Sequence, residues 1–200
     1  MTKPFSPLPA IRLHAGVAYF HPLELPEVLH WEDSALHAMV DFKYIKPETI
    51  RPDEALATAL TAVANCSYHV LLVVSYEGNV LGLVSAEDLL GEKPLKVIQE
   101  RHISRADIPV QLVMLPQTAI LAIDIENLRH AKVGHIIRTL QAHKQHFALI
   151  VKIEEGGHVQ KIRGLFSLSL LSKQLGYDVT SDLAEAHSIA ELQYNLHLHD

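Results

Sequence analysis

The chain has a single cysteine, Cys66, so it can form neither an internal disulfide nor a thiolate metal cluster, and it reads as a protein of a reducing compartment. Positive charge is also short. Seventeen Lys and Arg against 23 Asp and Glu give a net charge of −6, which argues against a broad electrostatic grip on nucleic acid or an anionic membrane. No apolar run approaches the length of a bilayer span, and the prolines of "MTKPFSPLPAIRL" break the continuous apolar stretch that a signal peptide needs. A cytoplasmic location is the expectation. Local catalytic motifs are missing as well: there is no glycine-rich phosphate loop ending in Lys-Ser or Lys-Thr, no G-x-G-x-x-G, no H-E-x-x-H and no G-x-S-x-G elbow. The sequence is therefore not read as an enzyme. Its 14 histidines do not make a metal centre either, because His130 with His135, and His143 with His146, lack an accompanying ligand cluster, and the terminal "NLHLHD" reads as a frayed tail.

What is present is apolar. With 48% hydrophobic residues in 200, the chain can bury a core as one domain or as two small ones packed together. Five of the ten prolines fall in the first 30 residues, which predicts an extended arm over 1–34. Beyond it, Thr49 and Ile50 form a short β-branched pair. Asp53 is a candidate N-cap for a helix whose Leu56, Ala59, Leu60 and Val63 share one face. "HVLLVVSYEGNVLGLVS" supplies two apolar runs around Glu77, Gly78 and Asn79 and reads as a hairpin; "AEDLLGEKP" closes the unit as a short helix ending near Gly91 and Pro94.

The same order then returns. Val133, Ile136, Ile137 and Leu140 repeat the spacing of Leu56, Ala59, Leu60 and Val63, and His146 repeats His69, all displaced by 77 positions (146 − 69). Past the second hairpin, "KIEEGGHVQKI", the displacement grows to 82 (Gly164 against Gly82), as an insertion confined to a hairpin tip would make it. The chain thus divides into an arm at 1–34, a first repeat at 35–94, a linker and second repeat at 95–176, and a C-terminal helix or tail at 177–200. Each half is too small to bury its sheet alone, so an α/β fold of two β-α-β-β-α repeats packed about a pseudo-twofold, with a cleft between them, is expected.

A hairpin that ends in "GLVSAED", paired with a second that ends in "GLFSLSL", resembles the CBS domain pair, or Bateman module. The leads "ALHAMVDF" and "PVQLVM" resemble the segments that precede each CBS motif. That resemblance covers roughly residues 35–176 and rests most on Gly82, Ser85 and Asp88. It implies a regulatory protein that dimerises, whose inter-repeat cleft binds an adenosyl nucleotide (AMP, ADP, ATP or S-adenosylmethionine) and whose protein partner is unidentified. It also implies that a basic residue near the start of the second strand touches phosphate. His69 and His146 hold that position here, with Leu72 and Leu149 in place of the family's usual proline.

The chemistry of the first motif is legible beside the resemblance. Asp88, one helical turn beyond Ser85, is placed to accept hydrogen bonds from both ribose hydroxyls. Ser85 and the first-turn N–H groups suit a phosphate or sugar oxygen. Gly82 lets the backbone approach a flat base, and Leu83 covers one face of it. His146 serves that nucleotide from across the pseudo-twofold. Lys43, Lys46, Thr49 and Arg163 complete the candidate contacts. In the second copy Leu170 stands where the carboxylate belongs, so one competent site and one relic are expected. Two other readings stay open: Asp88 and Ser85 as a helix cap serving their own backbone, and the whole chain as a ligand-free structural dimerisation module.

Overall fold

A computed structural model of the chain describes residues 25–154 and 159–180. Most of the arm expected at 1–34 and of the tail expected at 177–200, including "NLHLHD", lies outside the described residues.

The element order is α1 (Ala35–Ala38), β1 (Val40–Asp41), β2 (Thr49–Ile50), α2 (Leu56–Asn65), β3 (Val70–Val74), β4 (Val80–Ser85), α3 (Ala86–Leu90), α4 (Glu92–Arg101), β5 (Leu115–Pro116), β6 (Leu121–Asp124), α5 (Val133–Ala142), β7 (Phe147–Ile153), β8 (Gln160–Ser167) and α6 (Leu168–Leu175). The strands form two four-stranded sheets, ordered β2-β3-β4-β5 and β1-β8-β7-β6. In each, the strand before the long helix runs parallel to the one after it, and the hairpin pairs antiparallel.

The apolar runs LLVV and ALIV are continuous rather than alternating because both faces of these strands are covered. In the second sheet Ala148, Ile150 and Phe166 pack under α5 and α6, with Ile136, Ile137 and Leu140 of the helix. Their neighbours Leu149 and Leu165 point the other way and join the core of the first unit, beside Leu72 and Leu83. The match is close: Leu72 and Leu149 are each 5% exposed, Leu83 and Leu165 each 1%. This is the expected pseudo-twofold packing, read from side-chain burial.

The segments that lead into the repeats are exchanged between them. β1 pairs with β8, and Ala35 N donates to Ala131 O while Val133 N donates to Asp33 O, so residues 33–41 complete the second sheet. Correspondingly β5 pairs with β4, Leu56 N donates to Ile108 O and Val110 N to Glu54 O, so residues 108–116 complete the first. The boundaries drawn at 35–94 and 95–176 from the sequence cut across this exchange. By hydrogen bonding the first unit is one stretch from β2 to β5, and the second is assembled from two pieces.

Two local readings change. Helix α2 begins at Leu56 with Ala55 as an N-cap that makes no side-chain hydrogen bond, and Asp53 instead accepts from the Tyr76 hydroxyl at 3.0 Å. The stretch taken as linker after Gly91 is the helix α4, with Pro94 in its first turn, where a missing N–H costs no intrahelical bond.

Candidate functional site

Helix α3 starts where β4 runs out, and its first turn is a capping box. Asp88 N donates to Ser85 Oγ at 3.2 Å, while Ser85 N and Ser85 Oγ donate to Asp88 Oδ2 at 2.9 and 2.8 Å. Serine and aspartate thus hold one another, and the Asp88 side chain is only 14% exposed. Its second oxygen is treated differently. Oδ1 accepts from Lys93 Nζ at 2.5 Å, and that ammonium belongs to a side chain 46% exposed. A carboxylate oxygen offers two lone-pair directions, so Oδ2 is filled and Oδ1 keeps one direction open, or two once Lys93 swings away.

Sequence reasoning did not find Lys93. Positions five apart do not face each other on one helix. Gly91 ends α3 and restarts the chain as α4, and that break returns Lys93 to the start of α3.

From the other unit comes His146. Its backbone oxygen accepts from Leu168 N, as His69 O accepts from Ala86 N, which fixes both residues beside the starts of α6 and α3. The His146 ring reaches the first unit's Glu87, with Nε2 3.8 Å from Oε2, the imidazole 30% exposed and the carboxylate 70%. The structure therefore brings His146 to the helix that carries Asp88, as expected, with Glu87 as its partner. His69 does not mirror it. Its backbone is left-handed (φ 54°) and its Nδ1 lies 3.4 Å from Val63 O, over the end of its own helix.

Other candidates have different occupations. Gly82 is not there for a flat base: a β-carbon at this position would overlap Leu115 O of the edge strand, and one at Gly164 would overlap Val40 O. Leu83 is sealed in the core between the sheets at 1% exposure, so it has no face to offer a base. Arg163 is bound bidentately to Asp41, Nε to Oδ1 at 2.7 Å and Nη2 to Oδ2 at 2.6 Å, on the far strand of the second sheet. Lys43, Lys46 and Thr49 are exposed, and the Lys43 ammonium lies 5.2 Å over the Tyr44 ring.

The second copy has the same start with a different side chain. Ser167 Oγ accepts from Leu170 N at 3.4 Å and pairs with Ser169 Oγ at 2.8 Å. Leu170 packs against the apolar cluster that joins the two sheets. Nearby in the first unit, Tyr68 is buried with its hydroxyl accepting from Glu48 N at 2.9 Å, and burial pushes the phenol up to about 12. Cys66 is buried at the end of α2.

Among the described residues no group of three or more His, Cys, Asp or Glu side chains is placed to hold a metal ion, and no helix is long and apolar enough to cross a membrane.

Residues 41–94, which contain Ser85, Asp88 and Lys93, match the CBS domain family. No curated protein matches the chain. Among solved structures, a conserved CBS domain protein of unknown function from Thermoplasma acidophilum is similar at 18% identity and a TM-score of 0.50, over 75% of this chain and 77% of that one. A hemolysin-like protein containing a CBS domain from Oenococcus oeni is 19% identical, with a TM-score of 0.48, over 72% and 91%. A CBS-domain containing protein from Agrobacterium tumefaciens is 15% identical, with a TM-score of 0.48, over 68% and 93%. The Thermoplasma likeness concerns fold and extends past the first unit into the second. With the family match on residues 41–94 and the same strand order in the second unit, the chain carries a CBS domain followed by a second unit of the same fold.

Proposed function

We propose that the protein is a regulatory CBS pair, acting as a homodimer in the cytoplasm and without catalysis of its own, whose first copy binds an adenine nucleotide and whose second does not. The observation that carries this reading is the divided state of Asp88: one oxygen is locked in the capping box, and the other is held only by the half-exposed ammonium of Lys93. The Lys93 end of the pair reaches solvent, so the ammonium can be exchanged for other donors while the capping box keeps the carboxylate in place. The two ribose hydroxyls would then donate to Oδ1 in charge-assisted bonds, and the freed Lys93 and the His146 imidazole stand ready for phosphate oxygens.

A ligand in that place would touch α3 of one unit and the start of β7 of the other. It favours whichever relative orientation of the units it fits better, and by no more than its differential affinity for that orientation. The shift is what a dimer interface or a protein partner would read. The test is a thermal-shift series with AMP, ADP, ATP and S-adenosylmethionine: a ligand that binds only the folded chain raises the midpoint.

A second reading, a ligand-free structural module, has its own support. Leu83 and Leu165 are buried in the seam at 1% exposure each, and the hollows formed beside α5, β8 and α6 are not lined by Asp88. It predicts no midpoint shift with any of the four compounds.

A further inference from the structure

The second sheet carries a charged hollow that the fold does not require. It encloses about 440 Å³ at the hairpin end of the sheet, away from α3 and α6, and three cations line it: Arg129, Lys152 and Arg163. Two carboxylates face them. Asp41 holds Arg163, and Glu126 holds Arg129. Among the described residues Lys152 has no such partner: it stands directly opposite Lys161 in the β7–β8 ladder, and Lys161 takes Glu154 at 2.5 Å. Like charges facing across strands repel, and here one of the two is left unneutralised over a hollow. The floor is apolar, formed by Leu36, Met39 and Ile125, with the exposed Tyr44 ring at the rim.

The first unit shows that these charges are not needed to build the sheet. Both hairpins carry a register shift at the same place, between Val73 and Val74 and between Ile150 and Val151. The residue at that irregularity is Arg163 in the second unit and Leu81 in the first; Lys152 corresponds to Ser75, and Asp41 to Pro116. An irregular position re-aims its side chain. In one unit it aims a leucine, and in the other a guanidinium fixed by a nearly buried aspartate.

We propose that this hollow binds a small organic phosphate, its phosphoryl group between Lys152 and Arg163 and its apolar part on Leu36, Met39 and Ile125. Arg163 is preoriented for this role, because Asp41 engages Nε and Nη2, and among the described residues the Nη1 donors have no hydrogen-bond acceptor. The site is separate from the seam at Asp88 and does not rest on the nucleotide reading.

Phenyl phosphate titrated into the full chain, followed by calorimetry and by the thermal midpoint, tests it. Saturable binding is expected, weakened about tenfold or more by Lys152→Ala and restored in part by Lys152→Arg, as loss of a charge-assisted contact requires. Lys152 is exposed and faces Lys161, so the unliganded midpoint of the variant does not fall below the wild-type value. Asp88→Ala leaves this binding intact. The proposal is overturned if phenyl phosphate does not bind at millimolar concentration, if sodium sulfate at equal ionic strength gives the same response, or if binding is lost in Asp88→Ala but kept in Lys152→Ala.

Discussion

The starts of α3 and α6 are the same backbone event with opposite chemistry. Each follows a strand that ends in serine, each serine oxygen accepts the N–H three residues on, and each is backed by a histidine carbonyl from the preceding turn. At the third position one has Asp88, whose carboxylate faces a lysine, and the other has Leu170, packed on the apolar cluster between the sheets. The comparison separates what the fold needs from what it only permits. Glycine, serine and the seam leucines recur in both units and are structural; the carboxylate occurs in one, where Oδ2 belongs to the capping box and Oδ1 is paired with Lys93. The hairpin ends teach the same lesson in reverse, since there the charges gather in the second unit.

The largest effect expected from breaking this symmetry concerns the exchanged lead segments. A fragment of residues 46–118 contains every strand of the first sheet, whereas a fragment of residues 119–180 lacks β1 and α1. Circular dichroism on heating should show no cooperative transition for the second fragment alone, and a gain of structure when a peptide of residues 25–42 is added. Independent folding of residues 119–180 would mean that the exchange is dispensable.

Next come the paired glycines. Gly82→Ala and Gly164→Ala each drive a methyl into the carbonyl of an edge strand, and each should cost about 1–3 kcal/mol in urea unfolding, to a similar degree. A loss at Gly82 alone would return that position to a role in the cleft.

A smaller asymmetry lies at Tyr68, a buried phenol whose counterpart in the second unit is Gln145. Burial raises its folded-state value from 10.0 to about 12, so the folded chain holds this proton more tightly than the unfolded one. The contribution is complete below pH 10 and is lost as the pH climbs toward 12. Tyr68→Phe should flatten that alkaline limb of the stability profile, measured against the wild type by urea titration from pH 9 to pH 12. An unchanged limb would assign it to other groups.

Much of this was legible in the chain itself. The repeat could be read from the spacing of Leu56, Ala59 and Val63 against Val133, Ile136 and Leu140, because helix faces buried in the same way must recur at the same interval. The hairpins were marked by Gly78 and by apolar runs too long for a one-faced sheet. Hidden were the contacts that join distant segments. β1, β2 and β5 have two residues each, too few to show a period, so nothing local announced that Val40 would pair with Leu165 or Leu115 with Leu83. Pro94 disguised α4 because a proline in the first turn looks like a stop. Around the start of α3, Asp88 and His146 could be named from the resemblance and the repeat, while the contacts of Lys93 and Glu87 depended on where two short helices and a neighbouring unit came to rest.

The most direct measurement is the stoichiometry of AMP and ATP binding by calorimetry in the wild type, Asp88→Ala and Leu170→Ala. One nucleotide per chain, abolished by Asp88→Ala and retained by Leu170→Ala, is the predicted result. No binding in the wild type, two nucleotides per chain, or binding that survives Asp88→Ala would contradict the assignment of the competent site to the first copy.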